Sequence, residues 1–223
     1  MEKTSLDCLE INPKNTTKAT VIWLHGLGAG ADDFLSIVPQ LKLPESLAVR
    51  FVFPQAPILP VTINNGYEMP AWYDVYGFDR TSKQDEQGIR RSEEQLAQLI
   101  NTEINNGISS DKIVLAGFSQ GGAIALHTAL RYTQKLAGVM VLSSYLPIAD
   151  LMAEEKSIEN TNLAIFIAHG SNDTVLPLAM AQLTREYLQA HDYPIDWHIY
   201  PMAHQVCLEE IRDISAWLQK VLV

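Results

Sequence analysis

Gly117-Phe118-Ser119-Gln120-Gly121-Gly122 constrains this chain more than any other stretch. The apolar run Ile113-Val114-Leu115-Ala116 precedes it and Ala123-Ile124-Ala125-Leu126 follows, so the hexapeptide has to turn a buried strand into a helix. A turn that sharp strains the serine backbone and lifts its hydroxyl clear of the sheet, the arrangement of a nucleophile elbow. Strand and helix then crowd each other on either side of the serine, where a Cβ would clash, and Gly117 and Gly121 occupy those positions. G-x-S-x-G recurs by chance in many proteins. Its placement between strand and helix is what carries information.

The rest of the chain supplies the sheet that such a turn needs. Short apolar runs alternate with amphipathic stretches, the pattern of an α/β fold with a mostly parallel central sheet and helices on both faces. Strands are expected at Leu6–Ile11, Thr20–Leu24, Arg50–Phe53, Ile113–Ala116, Gly138–Leu142, Leu163–Ala168 and Trp197–Tyr200. Helices are expected at Gln84–Asn106, Gln120–Tyr132, Pro177–Ala190 and Val206–Leu222. In the first helix Ile89, Leu96, Leu99, Ile100 and Ile104 share one face, and in the last Leu208, Ile211, Ile214, Leu218 and Leu222 do. No repeat or linker interrupts the pattern, so residues 1–223, 47% of them apolar, read as a single domain. Pro54 to Lys83 breaks the rhythm, being proline-rich and without periodicity, yet it carries Ile58, Leu59, Val61, Ile63, Tyr67, Met69, Trp72, Tyr73, Tyr76 and Phe78. That content reads as an ordered loop over the site rather than a disordered one.

A serine hydroxyl is a poor nucleophile near neutrality and needs a base, which in turn needs an orienting acid. With a nucleophile elbow, these follow in the order acid, then histidine, in loops after later strands. The expected strand Leu163–Ala168 runs into His169-Gly170-Ser171-Asn172-Asp173, and Trp197–Tyr200 runs into Pro201-Met202-Ala203-His204. Ser119, Asp173 and His204 are therefore the expected catalytic triad. His169 is the rival base and Asp150 the rival acid, since each also follows a strand at the same edge. The oxyanion needs two donors: the backbone N–H of Gln120, directly after the nucleophile, and that of Leu27 in the His25-Gly26-Leu27-Gly28 loop after an early strand. Leu27, Met69 and Trp72 are the expected lining of an acyl-binding wall. The connection after Gly138–Leu142 is too short to hold a large cap domain.

Composition narrows the partners. Sixteen basic against twenty-six acidic residues give a net charge of −10, which argues against nucleic acid. No apolar segment is long enough for membrane insertion, and Met1–Asp7 does not look like a signal peptide. Cys8 and Cys207 form neither a metal motif nor a disulfide framework, so a cytoplasmic setting is expected, with no metal and no organic cofactor. An exposed apolar loop could support a weak homodimer.

Several motifs together resemble the acyl-protein thioesterase and small carboxylesterase family of α/β hydrolases. They are HGLG at 25–28, PQAP at 54–57, MPAWYD at 69–74, NGI at 106–108, GFSQGGA at 117–123, KLAG at 135–138 and the later HGSND and MAH. The resemblance implies a serine esterase or thioesterase acting on small acyl esters, lysolipids or S-acylated proteins. It implies the same Ser119, Asp173 and His204, with Leu27 and Gln120 at the oxyanion. The chain departs from the pattern at Ala29-Gly30-Ala31-Asp32-Asp33 and at Gln205-Val206.

Overall fold

The computed structural model describes residues 6–77 and 82–223. In chain order, its strands are β1 (Cys8–Ile11), β2 (Ala19–Leu24), β3 (Val49–Pro54), β4 (Ile58–Val61), β5 (Tyr67–Pro70), β6 (Ile113–Phe118), β7 (Gly138–Leu142), β8 (Ile165–Gly170) and β9 (Ile195–Tyr200). The helices are α1 (Val38–Leu41), α2 (Glu86–Asn105), α3 (Gln120–Arg131), α4 (Met152–Glu155), α5 (Leu178–Gln189) and α6 (Leu208–Val221). A seven-stranded sheet runs in the order β1-β3-β2-β6-β7-β8-β9. β1 pairs antiparallel with β3, and the other pairings are parallel.

Covered on both faces, the central strands are apolar along most of their length instead of alternating, with Thr20 and His169 as buried polar exceptions. Every residue of β2, β7 and β8 is buried, whereas the edge strands β1 and β9 are partly open. Successive side chains still point to opposite faces and divide the core in two. Ile22, Leu24, Leu115, Val139, Val141, Ile165 and Ile167 pack with Ile89, Leu96 and Ile100 of α2 and with the apolar residues of α3. Val21, Trp23, Val114, Ala116, Met140, Leu142, Phe166 and Ala168 pack with Ile211, Ile214, Trp217 and Leu218 of α6. Asp85 caps α2 by accepting from Gly88 N at 3.0 Å.

The expected elements are all present with ends shifted by a few residues. The principal difference lies in Pro54–Lys83, where β4 and β5 form an antiparallel hairpin. Asn65 (φ 57°) and Gly66 (φ 76°) turn it, both in the left-handed region that an Asn-Gly pair tolerates. Pro60 and Pro70 fit because this two-stranded ribbon is edge on both sides. Phe78 lies outside the described residues. Between β7 and β8 there is only the four-residue α4 with short 3-10 turns, and no cap domain. Among the described residues, no helix is long and apolar enough to cross a membrane.

Candidate active site

Ser119 sits between β6 and α3 at φ 52°, ψ −121°, a strained conformation for a residue with a side chain. It persists because the surroundings over-determine it. Ser119 N donates to Leu142 O at 2.8 Å, and Ser119 O accepts from Ala123 N at 3.1 Å and Ser144 Oγ at 2.6 Å. The flanking glycines are a steric necessity: a Cβ on Gly117 would lie 2.3 Å from the Gly121 carbonyl carbon, and one on Gly121 would lie 2.5 Å from His25 O. The crowding expected of the hexapeptide is thus present.

Two loops at the carboxyl edge of the sheet bring the acid and the imidazole together. His204 Nδ1 donates to Asp173 Oδ2 at 2.7 Å. Asp173 Oδ1 accepts from Val175 N at 2.9 Å and Leu176 N at 2.8 Å, so the fully buried carboxylate has its charge met by backbone donors. The loops are laced to each other by Ser171 N to Tyr200 O at 2.8 Å and Asn172 N to Met202 O at 3.0 Å. Gly170 makes this approach possible, since a Cβ there would stand 2.4 Å from Ala203 O. The Phe118 ring lies 4.7 Å from the His204 ring and backs it.

The rivals are placed elsewhere. His169 is fully buried on β8 and donates through Nε2 to Leu176 O at 2.9 Å, 3.4 Å from Asp173 Oδ2, and burial holds its pKa below the ordinary value. It braces the acid loop. Asp150 is exposed and lines a different cavity.

Ser119, His204, Leu27, Gln120 and Phe118 line one cavity of about 200 Å³, together with Tyr73, Tyr145 and Leu176. Gln120 opens α3, so its backbone N–H has no acceptor within the helix. Leu27 lies in the loop after β2, between Gly26 and Gly28. Two of the expected wall residues need correction. Trp72 is 2% exposed and does not line this cavity; its Nε1 donates to His25 O at 2.9 Å. Met69 also stays out of the cavity, its Sδ accepting from Asn64 Nδ2 at 3.4 Å and resting over Gly28. Both pin the hairpin segment to the His25–Gly28 loop, and the indole is consumed by packing because its N–H must find a buried acceptor. Among the described residues, no group of three or more His, Cys, Asp or Glu side chains is disposed to hold a metal ion.

Three features escaped sequence reasoning. The Gln120 side chain clamps the segment above it: Oε1 accepts from Trp72 N at 2.8 Å and Nε2 donates to Tyr73 O at 2.7 Å. His25 is buried, donates from Nδ1 to Gly26 O at 2.7 Å and accepts at Nε2 from Ala56 N at 3.1 Å, and burial lowers its pKa. The phenols of Tyr73 and Tyr145 are hydrogen bonded at 3.0 Å beside the serine, and burial raises the pKa of both. Residue type signals none of these, because each depends on which loop lies opposite.

The chain is similar to known proteins over nearly its whole length. Acyl-protein thioesterase 1 of Mycosarcoma maydis is 40% identical over 235 residues, covering 97% of this chain and 98% of its own. The protein of the same name from Neurospora crassa is 40% identical, covering 92% and 87%. Arabidopsis thaliana SOBER1 superposes with a TM-score of 0.88 at 29% identity over 93% of this chain and all of its own. Zea mays acyl-protein thioesterase 2 superposes at 0.87 with 27% identity over 97% and 99%. Residues 7–222 match the phospholipase/carboxylesterase family of α/β hydrolases, and the chain belongs to that family.

Proposed function

We propose that this single-domain serine hydrolase cleaves acyl esters and thioesters through an acyl-enzyme on Ser119, with His204 as general base and Asp173 as its orienting acid. One observation carries the reading: the strained Ser119 shares a cavity with His204, whose Nδ1 is held by Asp173 at 2.7 Å. Because Nδ1 donates to the carboxylate, the lone pair of His204 is on Nε2, the nitrogen available to take the serine proton. The serine oxygen bonds to the acyl carbon, and the backbone N–H groups of Leu27 and Gln120 hold the oxyanion, at about 3 kcal/mol per donor. The imidazolium returns its proton to the leaving alcohol or thiol. Water then repeats the sequence to free the acid.

The substrate class is an S-acylated protein. Support comes from relatives named acyl-protein thioesterases that match almost the whole chain, and from a cavity with no cap domain over it, which a protein surface can approach. Cys8 and Cys207 are both unpaired, which supports a reducing cytoplasmic setting. A fluorophosphonate probe should label the wild type and not Ser119→Ala. Hydrolysis of an S-palmitoyl peptide should exceed that of a lysolipid, and Ser119→Ala should lose at least ~10³-fold on both. Labelling that persists in Ser119→Ala would refute the assignment of the nucleophile. A preference for lysolipid would refute the substrate class alone.

A further inference from the structure

The cavity beside Ser119 is small, and a second, larger one of about 790 Å³ lies next to it. Tyr145 and Leu176 line both and so form the wall between them. The cavity beside Ser119 has about a quarter of its neighbour's volume, so the larger space is where a long acyl chain gains room. A longer chain has to pass the wall.

Tyr145 meets a fixed neighbour, Tyr73, which lines the smaller cavity only. Tyr73 is 3% exposed, and its backbone is fixed by Gln120 Nε2 to Tyr73 O at 2.7 Å, with Trp72 N, one residue before, on Gln120 Oε1 at 2.8 Å. Tyr145 is half-buried, and its backbone is anchored on both sides. Ser144 Oγ holds Ser119 O at 2.6 Å, and Leu146 N holds Thr184 Oγ1 at 2.8 Å. The Tyr145 ring is held by packing against the core and by the 3.0 Å hydrogen bond to Tyr73.

We propose that Tyr145, moored to Tyr73, sets acyl-chain selectivity: with the phenol pair closed the site takes short chains, and long chains enter the second cavity only when that bond opens. This rests on the acyl-enzyme reading above. The Tyr145 hydroxyl, on a half-buried residue beside an open cavity, exchanges its partner for water on opening, so the net cost is that of one hydrogen bond, a several-fold penalty on long chains.

The test compares kcat/KM for nitrophenyl butyrate and nitrophenyl laurate in wild type, Tyr73→Phe, Tyr145→Phe and the double variant. Each single change keeps the ring and removes the bond, and should raise the laurate-to-butyrate ratio about three- to tenfold. The double variant should gain no more than either single, because both remove the same bond. A ratio that does not move in either single variant, or that multiplies in the double, overturns the proposal. Binding of hexanoate and myristate to Ser119→Ala with and without Tyr73→Phe, by calorimetry, gives the same ratio without turnover. If no ester is hydrolysed but the myristate preference rises with Tyr73→Phe, the catalytic reading fails and the partition stands. An unmoved preference there sinks the partition.

Discussion

Removing the Gln120 side chain tests how the site is held together. Gln120 is 4% exposed, and Gln120→Ala leaves two buried backbone groups without partners, Trp72 N–H and Tyr73 C=O. An unsatisfied buried polar group costs about 1–3 kcal/mol. Water entering the space vacated by the amide recovers part of the cost, so the lower half of the combined range applies, about 3 kcal/mol. For a chain of this size that corresponds to a fall in Tm of about 6–12 °C. The backbone N–H at position 120 survives the change, so fluorophosphonate should still label Ser119 while the protein melts early. Gln120→Glu should separate geometry from hydrogen bonding. One carboxylate oxygen can still accept from Trp72 N, but the other faces Tyr73 O and repels it, so the variant should be weaker near neutrality than in acid. Differential scanning calorimetry gives Tm, and labelling gives the state of the nucleophile. A Tm within about 2 °C of wild type for Gln120→Ala would refute the argument that this amide ties the Trp72–Tyr73 segment to the catalytic helix.

Two further outcomes are expected. Gly121→Ala would place a Cβ 2.5 Å from His25 O and 2.6 Å from Leu24 O, both backbone, so α3 has to move off β2. A loss of at least ~3 kcal/mol and of soluble yield should result, and a variant with native Tm would contradict the packing described for the elbow. His25, His127 and His169 each have a pKa lowered from 6.5, chiefly by burial. The unfolded chain therefore binds protons that the folded one rejects, so stability is held above about pH 6.5 and lost as the pH falls below it. Glu210, whose carboxyl burial pushes up to about 8, acts in the opposite sense, so the test is made in Glu210→Gln: there Tm should be lower at about pH 5.5 than at about pH 7.5, and an unchanged value would remove the role given to buried neutral imidazoles.

Wherever a physical constraint acts within a few residues, the sequence carries it. Gly117 and Gly121 announce the elbow because strand and helix collide there whatever the rest of the fold does. The apolar runs at β2, β6, β7 and β8 announce a covered parallel sheet because no other arrangement buries both faces. Asp173 and His204 were legible as loop residues after successive strands, and those loops do bring them to 2.7 Å. The hairpin was missed because Pro60 and Pro70 suppress strand propensity, although Asn65-Gly66 was a usable turn signal. Trp72 was misplaced for a different reason. An indole in a loop near a site can face the ligand or the body, and the choice depended on the carbonyl of His25, forty-seven residues away, which composition does not display.

The backbone lacing between the loops that carry Asp173 and His204 has an evolutionary consequence. Main-chain hydrogen bonds join those two loops whatever side chains they carry, while the hairpin segment meets the His25–Gly28 loop through Trp72 and Met69. The register between Asp173 and His204 is thereby independent of the ribbon, which lines neither cavity. A lineage can lengthen, shorten or recharge the ribbon while inheriting that register unchanged.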